Sequence, residues 1–250
     1  MAHIKNLFET YDDARAAAGD GYNNDDLARV VALKTQVVAR DLERISLNPD
    51  PTAVINAVVC ATIAQRSSEI CRVVDLGGAS GYHYLCAKSF LDGHPHSWTV
   101  VETPAMVRAA EPLFGSGTLR FVSEFEEAFA GEIDLLVFSG TLQYMPQPED
   151  ALRRVAAAKP RRIVLARFPA YEGPRVVGLQ QSQLAHNGPG PMPDGIADRT
   201  VFYPVTFVPM SDVLSRLEGY RVAQRYDSPS GAYKIGRERL AGITLLLERE

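Results

Sequence analysis

The stretch Val73-Val-Asp-Leu-Gly-Gly-Ala-Ser-Gly81 decides the fold of this chain. Its first residues belong to a short apolar strand, predicted over residues 72–76, and its glycines predict a tight turn before a helix from about Tyr82 to Leu91. Glycines let a backbone approach a ligand closely, and the N-terminus of the following helix points its amides at that ligand. The segment therefore predicts a ligand-binding turn at the end of a strand.

The spacing of these glycines excludes two common phosphate-binding turns. A dinucleotide turn reads Gly-x-Gly-x-x-Gly, but Ala79 or Ser80 stands where its second glycine would fall, counted from Gly77 or from Gly78. A P-loop ends in Gly-Lys-Ser/Thr, which this turn lacks. The pattern fits a ligand that has no pyrophosphate.

A second motif, Trp98-Thr-Val-Val-Glu102, predicts a strand that ends in an acidic residue. An acidic residue about 20 residues beyond a glycine turn is placed to accept hydrogen bonds from ribose hydroxyls. The alternative is an N-cap or a solvent-exposed carboxylate at a strand end. Because the glycine turn precedes it in register, we favour the ribose-binding interpretation.

Short apolar strands alternate with helices from residue 72 onward, with further strands predicted over residues 119–122, 135–139 and 162–166. Such alternation is typical of a parallel sheet with helices on both faces. Two last strands, 220–226 and 242–248, have no helix between them. The predicted fold is α/β, a Rossmann-like doubly wound, mostly parallel seven-stranded sheet with an antiparallel C-terminal edge hairpin.

Two helices are predicted before the first of these strands, over residues 26–46 and from residue 51 to about 68. They form either an accessory lobe or a cover for one face of the core. We divide the chain into residues 1–70, an N-terminal arm with accessory helices, and residues 71–250, the Rossmann-like domain. The apolar length of the two helices suggests a homodimer that forms through them.

Residues 168–204 contain many glycines and prolines and show little periodicity, so we predict a long loop or lid there. The composition is globular, and the net charge of -4 disfavours a nucleic-acid partner. There is no apolar run long enough to span a membrane. The three cysteines are too few and too far apart for a zinc site, so no metal is expected. We expect a cytoplasmic protein.

The combination of Asp75-Leu-Gly-Gly-x-x-Gly81 and Glu102 resembles class I S-adenosylmethionine-dependent methyltransferases. More narrowly, four segments resemble a TIGR-type family of bacterial methyltransferases; they are 77–84, 98–106, 139–144 and 202–204. The resemblance covers roughly residues 21–250. It implies S-adenosyl-L-methionine as cofactor and methyl transfer to an oxygen or nitrogen of a small metabolite, such as a sugar or a natural-product intermediate.

The resemblance also implies a set of cofactor-binding residues. The glycine turn would surround the methionyl part of the cofactor, Asp75 would lie near its amino group, and Glu102 would bind the ribose. Ser123 stands where the family usually has an aspartate that contacts the adenine amino group. The full expected set is Asp75, Gly77, Gly78, Gly81, Glu102, Thr103, Ser123, Glu124 and Ser139.

Five side chains are candidates for catalysis or for binding the acceptor; they are His83, His186, Tyr144, Tyr203 and Arg167. A base is needed only if the acceptor must lose a proton. An arginine at the end of a strand suits a carboxylate or phosphate on the substrate. For each of the five, the alternative is an ordinary structural or solvated residue.

Two further functions remain open on the same cofactor fold: a non-methylating enzyme, and a non-catalytic binding protein. The serine at position 123 keeps the second of these open. A nicotinamide oxidoreductase is disfavoured by the spacing of the glycines. The segment 139–144 lacks the Asn/Asp-Pro-Pro-Tyr motif of many nucleic-acid N-methyltransferases, which again favours a small-molecule acceptor.

Overall fold

A computed structural model describes residues 2–42, 52–64, 70–235 and 238–250 of the chain. Its strands are β1 (Ala2–Phe8), β2 (Cys71–Leu76), β3 (His96–Val101), β4 (Leu119–Val122), β5 (Leu135–Ser139), β6 (Arg162–Pro169), β7 (Val176–Gln183), β8 (Thr200–Phe207), β9 (Tyr220–Ile235) and β10 (Glu238–Arg249). Its α-helices are α1 (Tyr11–Ala18), α2 (Asp25–Leu42), α3 (Thr52–Ala64), α4 (Tyr82–Leu91), α5 (Pro104–Phe114), α6 (Phe125–Ala128), α7 (Pro148–Ala158) and α8 (Met210–Arg216). Two short 3₁₀ turns cover Leu142–Tyr144 and Leu184–His186.

The chain divides into two compact units. We call Tyr22–Val137 with Gln183–Arg199 the turn unit, because it carries the glycine turn. We call Met1–Gly21, Phe138–Ser182 and Thr200–Glu250 the hairpin unit, because it carries β9 and β10. These bounds do not follow the division at residue 70, which stays a prediction.

The strand order of the described residues is β4-β3-β2-β5-β6-β10-β9-β1-β7-β8. In the turn unit, β2, β3 and β4 are parallel, and the end of β2 pairs with the end of β3, Leu76 opposite Val101. In the hairpin unit, β10 is antiparallel to both β6 and β9. The α/β fold and the antiparallel C-terminal hairpin are thus confirmed, but β10 and β9 lie between β6 and β1 and not at an edge of the sheet.

The number of strands was wrong, since the described residues form ten strands rather than seven. The three additional strands are β1, β7 and β8, and β1 pairs antiparallel with β7 and parallel with β9. The segment 168–204, predicted as a loop or lid, therefore contains two strands. Glycines and prolines lie mostly between these strands, so they hid the period-2 pattern of a half-buried strand.

The predicted N-terminal helices are present within the described residues as α2 and α3, and residues 43–51 and 65–69 lie outside that description. Asn24 caps α2, since its Oδ1 accepts a hydrogen bond of 3.0 Å from the backbone N–H of Leu27. Apolar side chains of both helices are buried in the protomer, including Val30 in α2 and Ile55 in α3. Their apolar length therefore no longer argues for a homodimer. None of the described helices combines the length and apolar character needed to cross a membrane.

Lys34 attaches the segment Gln183–Arg199 to α2 inside the turn unit. Its side chain is fully buried, and its Nζ donates to the backbone carbonyls of Ala185 at 2.6 Å and Asn187 at 2.7 Å. Burial lowers the pKa of Lys34, and the Asp198 carboxylate offsets part of that effect. Gly190 packs so closely on α2 that a Cβ there would lie 2.5 Å from Cγ2 of Val38. The segment is therefore held against this helix.

We expect Lys34→Met to lower the free energy of unfolding by about 2 kcal/mol, because two buried carbonyls lose their donor. Urea unfolding measures this change, and limited proteolysis should show faster cleavage within residues 183–199. Lys88→Met is the matched control, because Lys88 is exposed on α4 of the same unit. Equal stability and equal cleavage of the two variants would contradict this role of Lys34.

Candidate functional site

The glycine turn connects β2 to α4 in the turn unit, and a side chain at Gly78 or Gly81 would meet neighbouring atoms closely. A Cβ at Gly78 would lie 2.4 Å from Oδ2 and 2.5 Å from Cγ of Asp75. Gly81 takes a φ of +80°, and a Cβ there would lie 3.1 Å from Cζ of Phe121. Gly77 has a φ of +69° and donates to the carbonyl of Val101 at 2.8 Å. The turn thus needs glycine for close approach at 78 and for left-handed backbone at 77 and 81.

Asp75 is fully buried beneath this turn. Its Oδ2 lies 2.9 Å from Nδ1 of His83, which is also buried. Its Oδ1 is buried and has no hydrogen-bond partner among the described residues. A buried carboxylate oxygen without a donor is costly, so this atom is suited to a donor supplied by a ligand.

Glu102 joins the glycine turn to the start of α5. Its Oε1 accepts from the backbone N–H of Ala79 at 3.1 Å, and its Oε2 accepts from that of Thr103 at 2.8 Å. Desolvation raises the pKa of Glu102 to about 7, the two backbone donors partly offset this, and the charge of Asp75 adds to it. Near neutral pH this carboxyl group therefore exists in both protonation states.

The other residues expected to bind the cofactor follow β3 and β4. Thr103 is the N-cap of α5, where its Oγ1 accepts from the N–H of Met106 at 3.3 Å. Ser123 and Glu124 follow β4, which lies beside β3 in the parallel part of the sheet. The structure thus brings Asp75, the turn, Glu102 and Ser123 to the carboxyl edge of three adjacent strands of one unit. Ligands of open α/β sheets bind at such an edge.

Sequence reasoning missed the contact of α2 with the glycine turn. Ser80 Oγ donates to Oγ1 of Thr35, which in turn donates to the carbonyl of Val31 at 2.9 Å. Both hydroxyl side chains are fully buried. An apolar cluster of α2 and α5 residues, with Ala79 packed against it, completes the contact. In the sequence, this contact was indicated only by Thr35, a polar residue within the apolar stripe of the helix predicted over residues 26–46.

A second polar cluster lies in the hairpin unit, where β5 and β6 end. Arg167 is the third residue from the end of β6. It takes a φ of +53°, which is rare for a residue with a side chain. Its Nη2 donates to the carbonyl of Ser139 at 2.5 Å. Its guanidinium lies over Gly140, where a Cβ would be 3.0 Å from Nε of Arg167. The cluster therefore places one arginine against the end of β5.

Tyr144 belongs to a chain of hydrogen bonds in the same unit. Nε2 of Gln143 donates to the hydroxyl of Tyr233 at 2.8 Å, the hydroxyls of Tyr233 and Tyr144 are 2.9 Å apart, and Tyr144 donates to Oε1 of Gln180 at 2.7 Å. The ring of Tyr203 packs edge-on against that of Tyr144, with 6.5 Å between centroids. Burial and the neighbouring Tyr144 raise the pKa of Tyr233 well above its usual value, so Tyr233 does not act as a base at neutral pH.

The five candidates for catalysis or acceptor binding are distributed over the two units. His83 lies in the turn unit beside Asp75. His186 is also in the turn unit but is exposed on the 3₁₀ turn at Leu184–His186. Tyr144, Arg167 and Tyr203 belong to the hairpin unit. The described residues contain no group of three or more His, Cys, Asp or Glu side chains that could hold a metal ion.

No protein-family model and no curated protein matches this chain in sequence. Among solved structures, a S-adenosylmethionine-dependent methyltransferase from Clostridium acetobutylicum is similar, with a TM-score of 0.52 and 12% sequence identity over 87% of this chain and 98% of the other. The N-terminal domain of EvdMO1, solved with SAH bound, has a TM-score of 0.50 and 15% identity over 86% of this chain and 95% of the other. The fold is therefore the Rossmann-like fold of these methyltransferases, and nothing supports the narrower TIGR-type resemblance.

Proposed function

We propose that this chain is an S-adenosyl-L-methionine-dependent methyltransferase that acts on an oxygen or nitrogen atom of a small molecule. One observation carries the proposal, namely the buried Asp75 with an unpartnered Oδ1 beneath a turn that needs glycine at position 78. The fold shared with methyltransferases supports it. The net charge of -4 supports a small-molecule acceptor over a nucleic acid.

The residues of the turn unit fit the cofactor. Oδ1 of Asp75 would accept a hydrogen bond from the amino group of its methionyl part, and Gly78 would let that part approach the backbone. Glu102, at the end of the neighbouring strand, would accept from the ribose hydroxyls. When bound, the cofactor supplies an electrophilic methyl group. The protein then has to align the acceptor with that group, because alignment provides much of the rate of such a displacement.

His83 is the candidate general base that the geometry supports best. Nδ1 of His83 lies 2.9 Å from Oδ2 of Asp75. In the neutral tautomer in which Nδ1 donates to that oxygen, Nε2 keeps its lone pair. A nitrogen in that state can take a proton from an acceptor hydroxyl or ammonium group. Asp75 would thereby both bind the cofactor and orient the histidine.

The test of the proposed function is turnover. The purified chain is incubated with S-adenosylmethionine and a panel of sugars, hydroxy acids, phenols and amines, and formation of S-adenosylhomocysteine is followed together with product mass. We expect a product heavier by one methylene. A product of another mass would favour a non-methylating enzyme, and cofactor binding without any product across the panel would favour the non-catalytic binding protein.

Glu102 makes cofactor binding depend on pH. Because the ionised carboxylate accepts hydrogen bonds with both oxygens, binding favours that form and releases a proton. With a pKa of about 7 in the free protein, the affinity for S-adenosylhomocysteine should rise about tenfold from about pH 6 to about pH 8 and then level off. Isothermal titration across this range measures the change.

Glu102→Gln is the variant that assigns this pH dependence. It should bind S-adenosylhomocysteine more weakly at every pH and without the rise, because its amide does not titrate. Asp75 and His83 form a contact next to the turn, and both are unchanged in this variant, so the comparison with the wild type isolates the contribution of Glu102. An unchanged rise in Glu102→Gln would show that another group is responsible.

A further inference from the structure

The polar cluster at the ends of β5 and β6 contains three buried atoms with no hydrogen-bond partner among the described residues; they are Oγ of Ser139, Oε1 of Gln143 and Nε of Arg167. The side chains of Ser139 and Gln143 are almost completely buried. Buried polar atoms are nearly always paired, and an unpaired one destabilises the folded protein. Three such atoms in one cluster therefore point to a ligand.

Arg167 supplies a positive charge that this unit does not neutralise. Among the described residues, no carboxylate forms an ion pair with its guanidinium, whose Nη2 is bonded only to a backbone carbonyl. The backbone of Arg167 is strained, because its φ of +53° lies in the left-handed region. Strain of this kind is found mostly where function requires a side chain in one place. The position of Arg167 thus favours an anion.

The hydrogen bonds of Gln143 indicate which way its amide points. Nε2 of Gln143 lies 3.5 Å from the backbone carbonyl oxygen of Arg167, an atom that can only accept. The same Nε2 donates to the hydroxyl of Tyr233 at 2.8 Å. Oε1 of Gln143 is left as an acceptor for an O–H or N–H group of a ligand.

We propose that Arg167, Ser139 and Gln143 bind a hydroxy or amino carboxylic acid. Nε of Arg167 and Oγ of Ser139 are two unpaired donors, so each can donate a hydrogen bond to one oxygen of a carboxylate. The carbonyl of Gln143 then accepts from the hydroxyl or amino group next to the carboxylate.

The test measures binding without cofactor. Glycolate and glycolamide are the smallest matched pair that differ in the charged group, and thermal unfolding is compared at equal ionic strength. We expect glycolate, and not glycolamide, to raise the unfolding temperature of the wild-type chain, and Arg167→Gln to abolish that rise. Arg175→Gln is the control, because Arg175 is exposed in the same unit and pairs with Glu149 at 3.1 Å.

Equal shifts with glycolate and glycolamide, or a glycolate shift that survives in Arg167→Gln, would overturn the proposal. If Arg167→Gln does not fold, Arg167→Lys takes its place, and it should retain the charge but lose most of the glycolate shift, because lysine lacks the Nε donor. The test uses no cofactor, so its result does not depend on whether the chain transfers a methyl group. A failure of carboxylate binding is therefore distinguishable from a failure of the proposed function.

Discussion

Replacement of Gly78 by alanine should reduce the affinity for S-adenosylhomocysteine by at least about a hundredfold, or by about 2.7 kcal/mol. The added Cβ would lie 2.4 Å from Oδ2 of Asp75, so the carboxylate must move. That oxygen is also the partner of His83 at 2.9 Å. The substitution therefore displaces the group proposed to bind the cofactor and breaks its contact with the histidine. Isothermal titration measures the loss.

Gly117→Ala is the matched control for this variant. A Cβ at Gly117, in the same unit, would meet no atom within 4 Å, so the affinity of this variant should equal that of the wild type. Thermal unfolding of both variants shows whether the fold is retained. A folded Gly78→Ala protein that binds with wild-type affinity would contradict the assignment of the turn.

Asp75→Asn should lower the affinity for S-adenosylhomocysteine by about 30-fold, or by about 2 kcal/mol. Asparagine keeps the volume of the side chain but replaces one of its two acceptor oxygens by a donor. It can then no longer accept from His83 and from the amino group of the ligand at once. The charge that favours an ammonium group is lost as well. Titration calorimetry is again the measurement.

Asp134→Asn separates this effect from a general loss of buried charge. Asp134 is buried in the same unit, and its Oδ2 accepts from the backbone N–H of Arg72 at 2.9 Å. This variant should be less stable and yet keep its affinity within about twofold. If both aspartate variants lose affinity to the same extent, Asp75 has no particular role in binding.

The sequence predicted the turn unit well because its signals are local. The strand, the glycines and Glu102 lie within 30 residues of one another, counted from Val73 to Glu102, and each reports on its own backbone or strand end. Parallel strands place their carboxyl ends at one edge, so the proximity of Asp75 and Glu102 followed from the pattern alone. The coupling of Asp75 to His83 was not predicted, although both residues had been singled out.

The hairpin unit was predicted less well because its contacts join distant parts of the chain. Tyr144 and Tyr233 share a hydrogen bond across 89 positions, and β1 pairs with strands near positions 180 and 234. No local pattern marks Tyr233 or Gln143 as polar partners in a core. The burial of Lys34 was hidden for the same reason, since its carbonyl partners lie 151 and 153 positions away.

The central claim is that the glycine turn, Asp75 and Glu102 form a binding site for S-adenosylmethionine. Isothermal titration of the wild-type chain with S-adenosylhomocysteine tests it most directly, because this measurement needs no knowledge of the acceptor. We expect saturable binding of one molecule per chain with a dissociation constant in the micromolar range. Absence of any binding heat at millimolar ligand, with a folded protein, would contradict the claim.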